Sequence, residues 1–303
     1  MKRNLTSVDV LLLLTVVIGL AGVIGVSRWI ESQRSAVVAT ETEEQLYLKG
    51  ATVKRLSLGF NGLAADWYWM RSLQYVGRKI LTNEQSLQLD NLGALNLKLL
   101  APLLDSATTL DPKFMEPYEY AAIVLPGVDL QEAIRITQKG IAANPSSWRL
   151  YQHLGYIYWQ QQEYETARKT YLEGSKLPGA PAWMEAMQAR MAIEGGSRDT
   201  AREIYQRMYE QSEDETVKQM ARRRLLQLRS FDERDGLRRV MTVYKTQTGR
   251  CPGSWAELAP ALRALKIQLD PSGAPFDPAG VPYVMLAEKC DLESDPRSEV
   301  PNE

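Results

Sequence analysis

The sequence predicts an all-α protein in three parts: an N-terminal transmembrane helix, a solenoid of stacked helical hairpins, and a small mixed α/β cap. Three observations predict this fold class. An uncharged apolar run lies near the N-terminus, at Val10–Ser27. Small residues recur every 34 positions in the middle of the chain, at Ala133, Ala167 and Ala201. After Ser230 proline, glycine and aspartate become frequent, which is typical of tight turns.

Composition excludes several classes of protein. The 303 residues carry 36 Lys+Arg against 37 Asp+Glu, a net charge of −1, so the chain is not a polycation that coats nucleic acid. Its only histidine is His153 and its only cysteines are Cys251 and Cys290, too few and too dispersed for a structural zinc site. No phosphate-binding, dinucleotide-binding or metalloprotease motif is present. We expect no catalytic activity, cofactor or metal.

The apolar run is long enough to cross a bilayer if its helix extends to Ile30, because about 20 apolar residues span the hydrocarbon core. Trp29 then lies where interfacial aromatic residues are common. The sequence therefore predicts an uncleaved single-pass anchor over residues 10–30. A cleavable signal peptide is the alternative, but the run is longer than the apolar core of such peptides and no clear cleavage site follows.

Basic residues predict the orientation of this anchor. Lys2 and Arg3 precede it, which favours a cytoplasmic N-terminus over residues 1–9 and the bulk of the chain outside the cytoplasm. In a bacterium with two membranes, this arrangement means an inner-membrane protein with a periplasmic bulk. Residues 31–63 are interpreted as a linker.

The clearest copy of the 34-residue repeat is Trp148–Pro181. This period is typical of paired antiparallel helices. Within the copy, the small residues Gly155 and Ala167 allow two helices to approach closely, and large residues such as Tyr171 fill the space around that contact. The solenoid is predicted over residues 64–229, with flanking copies and helices at Ala64–Ile80, Leu99–Phe114, Phe114–Ser147, Ala182–Glu215 and Thr216–Leu228.

The best copy resembles the tetratricopeptide repeat family through Leu154, Gly155, Tyr158, Tyr164, Ala167 and Tyr171, with Gly174 where alanine is usual. The resemblance covers roughly residues 64–228 and implies an α-solenoid that binds proteins. The strings LAADWYWMRSLQYVG and LLAPLLDSATTLDPKF after a membrane anchor resemble a group of single-pass bacterial tetratricopeptide proteins. Members are often encoded beside ABC exporters or in type IV pilus gene clusters, which implies an accessory role in envelope transport or pilus assembly.

In such solenoids the first helix of each repeat lines a concave groove. Aromatic and arginine side chains dominate binding hot spots, so these residues are the predicted partner contacts. For Tyr156 and Trp159 the alternative is packing against the neighbouring repeat. The predicted groove consists of Tyr118, Arg149, Gln152, Tyr156, Trp159, Trp183 and Arg190.

Three other features each allow two interpretations. His153 is either a pH-responsive contact or an ordinary half-buried helix residue. The cluster Trp67–Trp69 is either a partner or membrane-surface contact or a packed stripe. The basic run Arg222–Arg224 either contacts nucleic acid or forms a solvated helix face paired with Glu213–Glu215.

The C-terminal cap is predicted over residues 230–290, followed by a flexible acidic tail over 291–303. Its elements are helices at Asp232–Gln247 and Trp255–Leu265 and a strand at Tyr283–Leu286. Ser254 and Glu257 have the spacing of a capping box.

The string VYKTQTGRCPGSWAEL, followed later by DPAGVPYVM, resembles the soluble end of type II secretion major pseudopilins. No pilin-type processing site precedes the apolar run, so the resemblance implies a packing or docking module and not a pilin subunit. Cys251 and Cys290 bracket this module. They are either bridged, closing a loop worth about 3–4 kcal/mol, or two free thiols.

The leading functional hypothesis is a non-catalytic, membrane-anchored scaffold that binds protein partners, such as an ABC exporter or pilus-assembly components. No nucleic acid or small-molecule substrate is expected. The alternative is a periplasmic quality-control factor that holds unfolded clients in its groove.

Overall fold

A computed structural model describes residues 18–29, 48–82 and 92–301. The protein is mostly helical and has one two-stranded antiparallel sheet among these residues. Residues 18–29 are helical. In the three described ranges no helix is both long and apolar enough to cross a membrane. Residues 10–17 and 30 of the predicted anchor lie outside those ranges.

The chain divides into two compact units. The first includes residues up to Pro117 together with Gly127–Asp129, and the second includes Tyr118–Pro126 and everything from Leu130 onward. Each unit has its own buried core.

The first unit contains helices α1 (Gly50–Leu56), α2 (Asn61–Thr82) and α3 (Leu100–Leu110). Helix α3 packs against both others. Where α1 meets α3, a Cβ added to Gly50 would lie 2.8 Å from the Cα of Ser106, so only glycine fits at this position. The segment expected to be a linker therefore contains helix α1 and the start of α2.

The second unit continues with helices that pack against their neighbours in the chain. The later member of each pair starts at Leu130, Tyr164 and Arg198, which are 34 residues apart, as the spacing of small residues predicts. These helices are α4 (Met115–Val124), α5 (Leu130–Ala143), α6 (Trp148–Gln160), α7 (Tyr164–Ser175), α8 (Trp183–Glu194) and α9 (Arg198–Gln211).

Glycines set the distance between paired helices. An added Cβ on Gly155 would lie 2.8 Å from the Tyr171 ring, and one on Gly140 would lie 2.8 Å from the Tyr118 ring. Both tyrosines are buried at these contacts. The small-against-large arrangement expected from the sequence is present at Gly155 and Tyr171, and Gly140 and Tyr118 form a second contact of the same kind.

Helix α10 (Glu215–Thr248) is one continuous element of 34 residues. The sequence interpretation divided this segment into two helices, Thr216–Leu228 and Asp232–Gln247, and the structure corrects that division. No proline interrupts the segment, so nothing ends the helix before Gly249, whose φ of 78° suits glycine. Asp214 caps its start by accepting a hydrogen bond from the Thr216 backbone N–H at 2.8 Å.

The cap consists of α11 (Trp255–Ala264) and strands β1 (Val284–Leu286) and β2 (Asp291–Glu293). Helix α11 and strand β1 lie close to their predicted positions, whereas β2 was not predicted. It shares a buried core with the C-terminal half of α10. The Trp255 indole N–H donates to the Tyr283 carbonyl at 3.0 Å. Cys251 and Cys290 form a disulfide, with their Cα atoms 5.4 Å apart.

The start of α11 differs in detail from the predicted capping box. The Ser254 side chain makes no capping hydrogen bond. The Glu257 carboxylate instead accepts from the backbone N–H of Gly253 at 3.2 Å and forms an ion pair with Arg250 at 2.9 Å. The carboxylate therefore fixes the turn that precedes the helix.

The segment from residue 291 is not the flexible tail that the sequence suggests. Strand β2 pairs antiparallel with β1, and both Leu292 and Val300 are buried. The Ser298 hydroxyl hydrogen-bonds the Asp277 carboxylate. Polar composition favoured a tail, but these long-range contacts make residues 291–301 part of the cap.

Candidate partner-binding face

Helices α6 and α8 present a cluster of aromatic rings and arginines at the N-terminal end of each helix. The Trp148 and Trp183 rings meet edge to face, with centroids 5.9 Å apart. Arg149 lies over the Trp148 ring, with 5.2 Å between the guanidinium carbon and the ring centroid. Trp183 remains 42% exposed, so this end of the cluster is accessible to a partner.

A second cluster lies toward the C-terminal ends of the same helices. The Trp159 indole N–H donates to the Glu194 carboxylate at 2.6 Å, and Arg190 donates to the other oxygen of that carboxylate at 2.7 Å. Arg190 also lies over the Trp159 ring at 5.2 Å. Tyr156 packs beside Trp159 with ring centroids 5.3 Å apart and is 45% exposed.

We call these two clusters together the aromatic–arginine face. Five of the seven predicted groove residues belong to it: Arg149, Tyr156, Trp159, Trp183 and Arg190. Trp159 is half-buried and packs against the core around Tyr171, as its packing interpretation expects. Gln152 lies half-buried on α6.

Tyr118 does not belong to the face and is a correction to the predicted groove. It is fully buried, and its ring packs on Gly140. The sequence argument placed Tyr118 in the groove because it lies, one repeat earlier, at a position equivalent to a groove residue of α6. The ring fills the space that the missing side chain of Gly140 leaves, so it stabilises the helix pair and offers no surface to a partner.

Sequence reasoning missed Trp148 and Glu194 as members of the face. A signal was present, because Trp148 and Trp183, like Trp159 and Glu194, are 35 residues apart. This is also the distance in sequence between the starts of α6 and α8. Side chains at that spacing occupy matching positions on the two helices and can meet across the gap between them.

The charges on the face differ between its two ends. The Arg190 guanidinium is paired with Glu194. In the parts of the chain that the structure describes, Arg149 contacts the Trp148 ring but forms no ion pair. A partner carboxylate at Arg149 would therefore meet an unneutralised cation beside two tryptophan rings, which suits an aromatic or aliphatic side chain next to an acidic group.

His153 lies half-buried on α6. Burial lowers its pKa from the ordinary value, and the negative charge of Glu119 partly opposes this shift. An imidazole that burial keeps neutral behaves as a packing residue at neutral pH. The structure therefore favours the interpretation of His153 as an ordinary half-buried helix residue.

The pKa of His153 can be tested directly, because it is the only histidine in the chain. We expect its single imidazole resonance to titrate in NMR with a midpoint below about 6.5. The folded state then binds the proton less tightly than the unfolded chain, so the free energy of unfolding falls as pH drops below about 6.5. A His153→Gln variant removes this pH dependence. A midpoint above 6.5 would contradict the expected burial.

The basic run Arg222–Arg224 and two aspartates of the cap, Asp270 and Asp277, are either exposed or hydrogen-bonded to neighbours in the sequence. Arg222 and Arg223 are exposed, Arg224 donates to Gln227 at 2.7 Å, and within the described residues none of the three pairs with Glu213–Glu215. The Asp270 and Asp277 carboxylates accept hydrogen bonds from backbone N–H groups in their own turns. No group of three or more His, Cys, Asp or Glu residues is placed to hold a metal ion in the described part of the chain.

Comparison with known proteins adds no assignment to this geometry. A scan against models of protein families finds no match, and a search of curated proteins finds none either.

Proposed function

We propose that this chain is a non-catalytic, membrane-anchored scaffold whose tetratricopeptide-like helical hairpins bind a protein partner through the aromatic–arginine face. The anchor over residues 10–30 holds it in a bacterial inner membrane, with the N-terminus in the cytoplasm and the bulk in the periplasm. Its partners belong to an envelope machine, either an ABC exporter or a pilus-assembly system.

The observation that carries the proposal is the aromatic–arginine face itself. The half-buried Trp148, the exposed Trp183 and the exposed Arg149 lie together, and within the described residues Arg149 forms no ion pair. Both Trp and Arg are enriched among residues that dominate protein interfaces. The regular 34-residue spacing of the paired helices supports a repeat array as its scaffold. The Cys251–Cys290 disulfide is compatible with the oxidising periplasm.

Affinity purification of the full chain in mild detergent tests the proposal. We expect the wild-type protein to recover a small, reproducible set of membrane-transport or pilus-assembly proteins. In an Arg149→Ala, Trp183→Ala variant we expect that recovery to fall by roughly 30-fold, the loss that corresponds to about 2 kcal/mol at a hot spot.

Tyr209→Ala is the matched control, because Tyr209 is 42% exposed, like Trp183, but lies on α9 and not on α6 or α8, the helices that carry the face. It should recover partners at the wild-type level. Recovery of many unrelated unfolded proteins would favour the quality-control alternative. Equal recovery by the face variant and the control would contradict the role of the face.

A further inference from the structure

A cleft of about 570 Å³ lies in the C-terminal cap, between α10 and the segments that follow α11. Helix α10 contributes one wall, from Arg229 to Val240, and the segments around Lys266 and Phe276 contribute the other. Residues 229 and 240 are eleven positions apart, so the wall extends about 16 Å along the helix. This volume is within the range of pockets that bind small molecules. We call it the cap cleft.

The wall formed by α10 contains a glycine that the packing of the protein does not explain. A Cβ added to Gly236 would meet no atom of another element within 4 Å. Gly236 lies in the interior of α10, where glycine is less favourable than alanine, and its φ is not positive. Glycine is the residue that lets a bound molecule approach the backbone closely. Its presence here, beside an open cleft, therefore indicates an occupant of that cleft.

Apolar side chains line much of the cap cleft. Leu265 is 60% exposed and Phe276 is 37% exposed, and Val240 and Ile267 are half-buried. An apolar molecule in the cleft would remove part of this surface from water, which is the main source of affinity in pockets of this kind. The occupant therefore has an apolar body.

Four charged residues line the cleft, and only the two cations have donors left for a ligand. The Glu233 carboxylate accepts from the Arg229 Nε–H at 2.9 Å and from the Tyr283 hydroxyl at 3.2 Å. Asp277 is buried, and its carboxylate accepts from backbone N–H groups of its own turn. Within the described residues, the Lys266 ammonium and the terminal amino groups of Arg229 make no hydrogen bond or ion pair to a side chain. The occupant therefore carries an anionic group.

Backbone groups along the cleft are largely engaged within the protein. Pro275 has no N–H, and its carbonyl accepts from the Tyr283 N–H at 2.9 Å. The Ile267 and Asp277 N–H groups donate to carbonyls within the cap. Recognition here depends on side chains, which favours a small ligand over a peptide strand held by main-chain hydrogen bonds.

We infer that the cap cleft binds a small amphiphilic carboxylic acid. Its apolar chain lies against Val240, Leu265 and Phe276 and passes over Gly236. Its carboxylate binds the free donors of Arg229 and Lys266, because a carboxylate accepts from the terminal amino groups of a guanidinium in good geometry. This ligand site depends on the cap alone and not on the aromatic–arginine face, and no motif in the sequence indicates it.

The test uses the full chain in phosphatidylcholine nanodiscs and, as the probe, octanoate that carries a photoactivatable diazirine. After irradiation, the labelled peptides are mapped by mass spectrometry under non-reducing conditions, which leave the Cys251–Cys290 disulfide intact. We expect labels in residues 229–240 and 265–276. Excess octanoate should suppress this labelling, whereas octylammonium, which has the same chain and the opposite charge, should not.

Gly236→Ala is the sharpest variant, because binding and stability should change in opposite directions. The added methyl group occupies space over which the ligand passes, so labelling should fall about tenfold. Alanine favours the helix and meets open space in the free protein, so the midpoint of chemical denaturation should rise. Gly77→Ala is the matched control, because it makes the same change in α2, where a Cβ also meets nothing within 4 Å. It should leave labelling unchanged.

A second pair of variants tests the charge. Lys266→Gln should lower labelling several-fold, because it removes a cation that the carboxylate binds. Lys289→Gln should have no effect, because Lys289 is an exposed lysine of the cap that does not line the cleft.

Several results would overturn the inference. Labels spread evenly along the chain would mean that the probe binds without a site. Equal suppression by octanoate and octylammonium would exclude a cleft that selects an anion. A lower denaturation midpoint in Gly236→Ala would mean that the fold itself needs this glycine, and unchanged labelling in that variant would place the ligand elsewhere. Each result leaves the partner-recovery experiment unaffected, so the two proposals fail separately.

Discussion

Replacing Tyr171 by alanine should lower the free energy of unfolding by about 3–5 kcal/mol, the usual loss for a large buried aromatic side chain. Tyr171 is 2% exposed, and its ring fills the space beside Gly155, where α6 and α7 approach closely. Removing the ring leaves a cavity between the paired helices. Burial also raises the pKa of the Tyr171 hydroxyl to about 12.

Chemical denaturation followed by circular dichroism measures this loss. Tyr209→Ala is the matched control, because it removes the same side chain from an exposed position on α9 and should change stability by less than about 0.5 kcal/mol. If Tyr171→Ala proved as mild as the control, the buried contact between α6 and α7 would be refuted.

Reducing the Cys251–Cys290 disulfide should destabilise the protein by about 3–4 kcal/mol in the chain-entropy model. The bond closes a loop with a sequence separation of 39 residues, so its loss gives the unfolded chain much more conformational freedom. A Cys251→Ala, Cys290→Ala variant should show the same loss without reductant.

The location of the disulfide sharpens this prediction. Because the loop that it closes lies in the cap, we expect the amides of α11 and β1 to lose more protection from hydrogen exchange than those of α6 and α7. Free thiols at both positions in the native protein, detected by non-reducing peptide mapping, would contradict the bond itself.

The sequence predicted the helix pairs well because the signals for them are local. Small residues at Gly155 and Ala167 and large ones at Tyr171 recur with the period of a helical pair, and each contact joins residues close together in the chain. The strand at the end of the cap was missed for the opposite reason. Arg238 on α10 donates to Asp291 at 2.7 Å across 53 residues, a pairing that no local pattern indicates.

The candidate site was predicted in part. An aromatic or arginine side chain at a predicted groove position is exposed only where no small residue on a neighbouring helix leaves space in which the side chain can be buried. Tyr118 was misplaced because Gly140, on the next helix, accommodates its ring. Trp148 and Glu194 were missed because their roles depend on a neighbouring helix rather than on their own periodicity.

The uninterrupted helix α10 has a mechanical consequence. Its early turns contribute Ala221 and Leu228 to the core shared with α8 and α9, and its later turns contribute Leu237 and Met241 to the core of the cap. One hydrogen-bonded rod about 50 Å long joins the two cores. A force applied to the cap is therefore transmitted to the hairpins without a loop to absorb it. A truncation at residue 229 would cut this rod and leave apolar surface on both sides of the break.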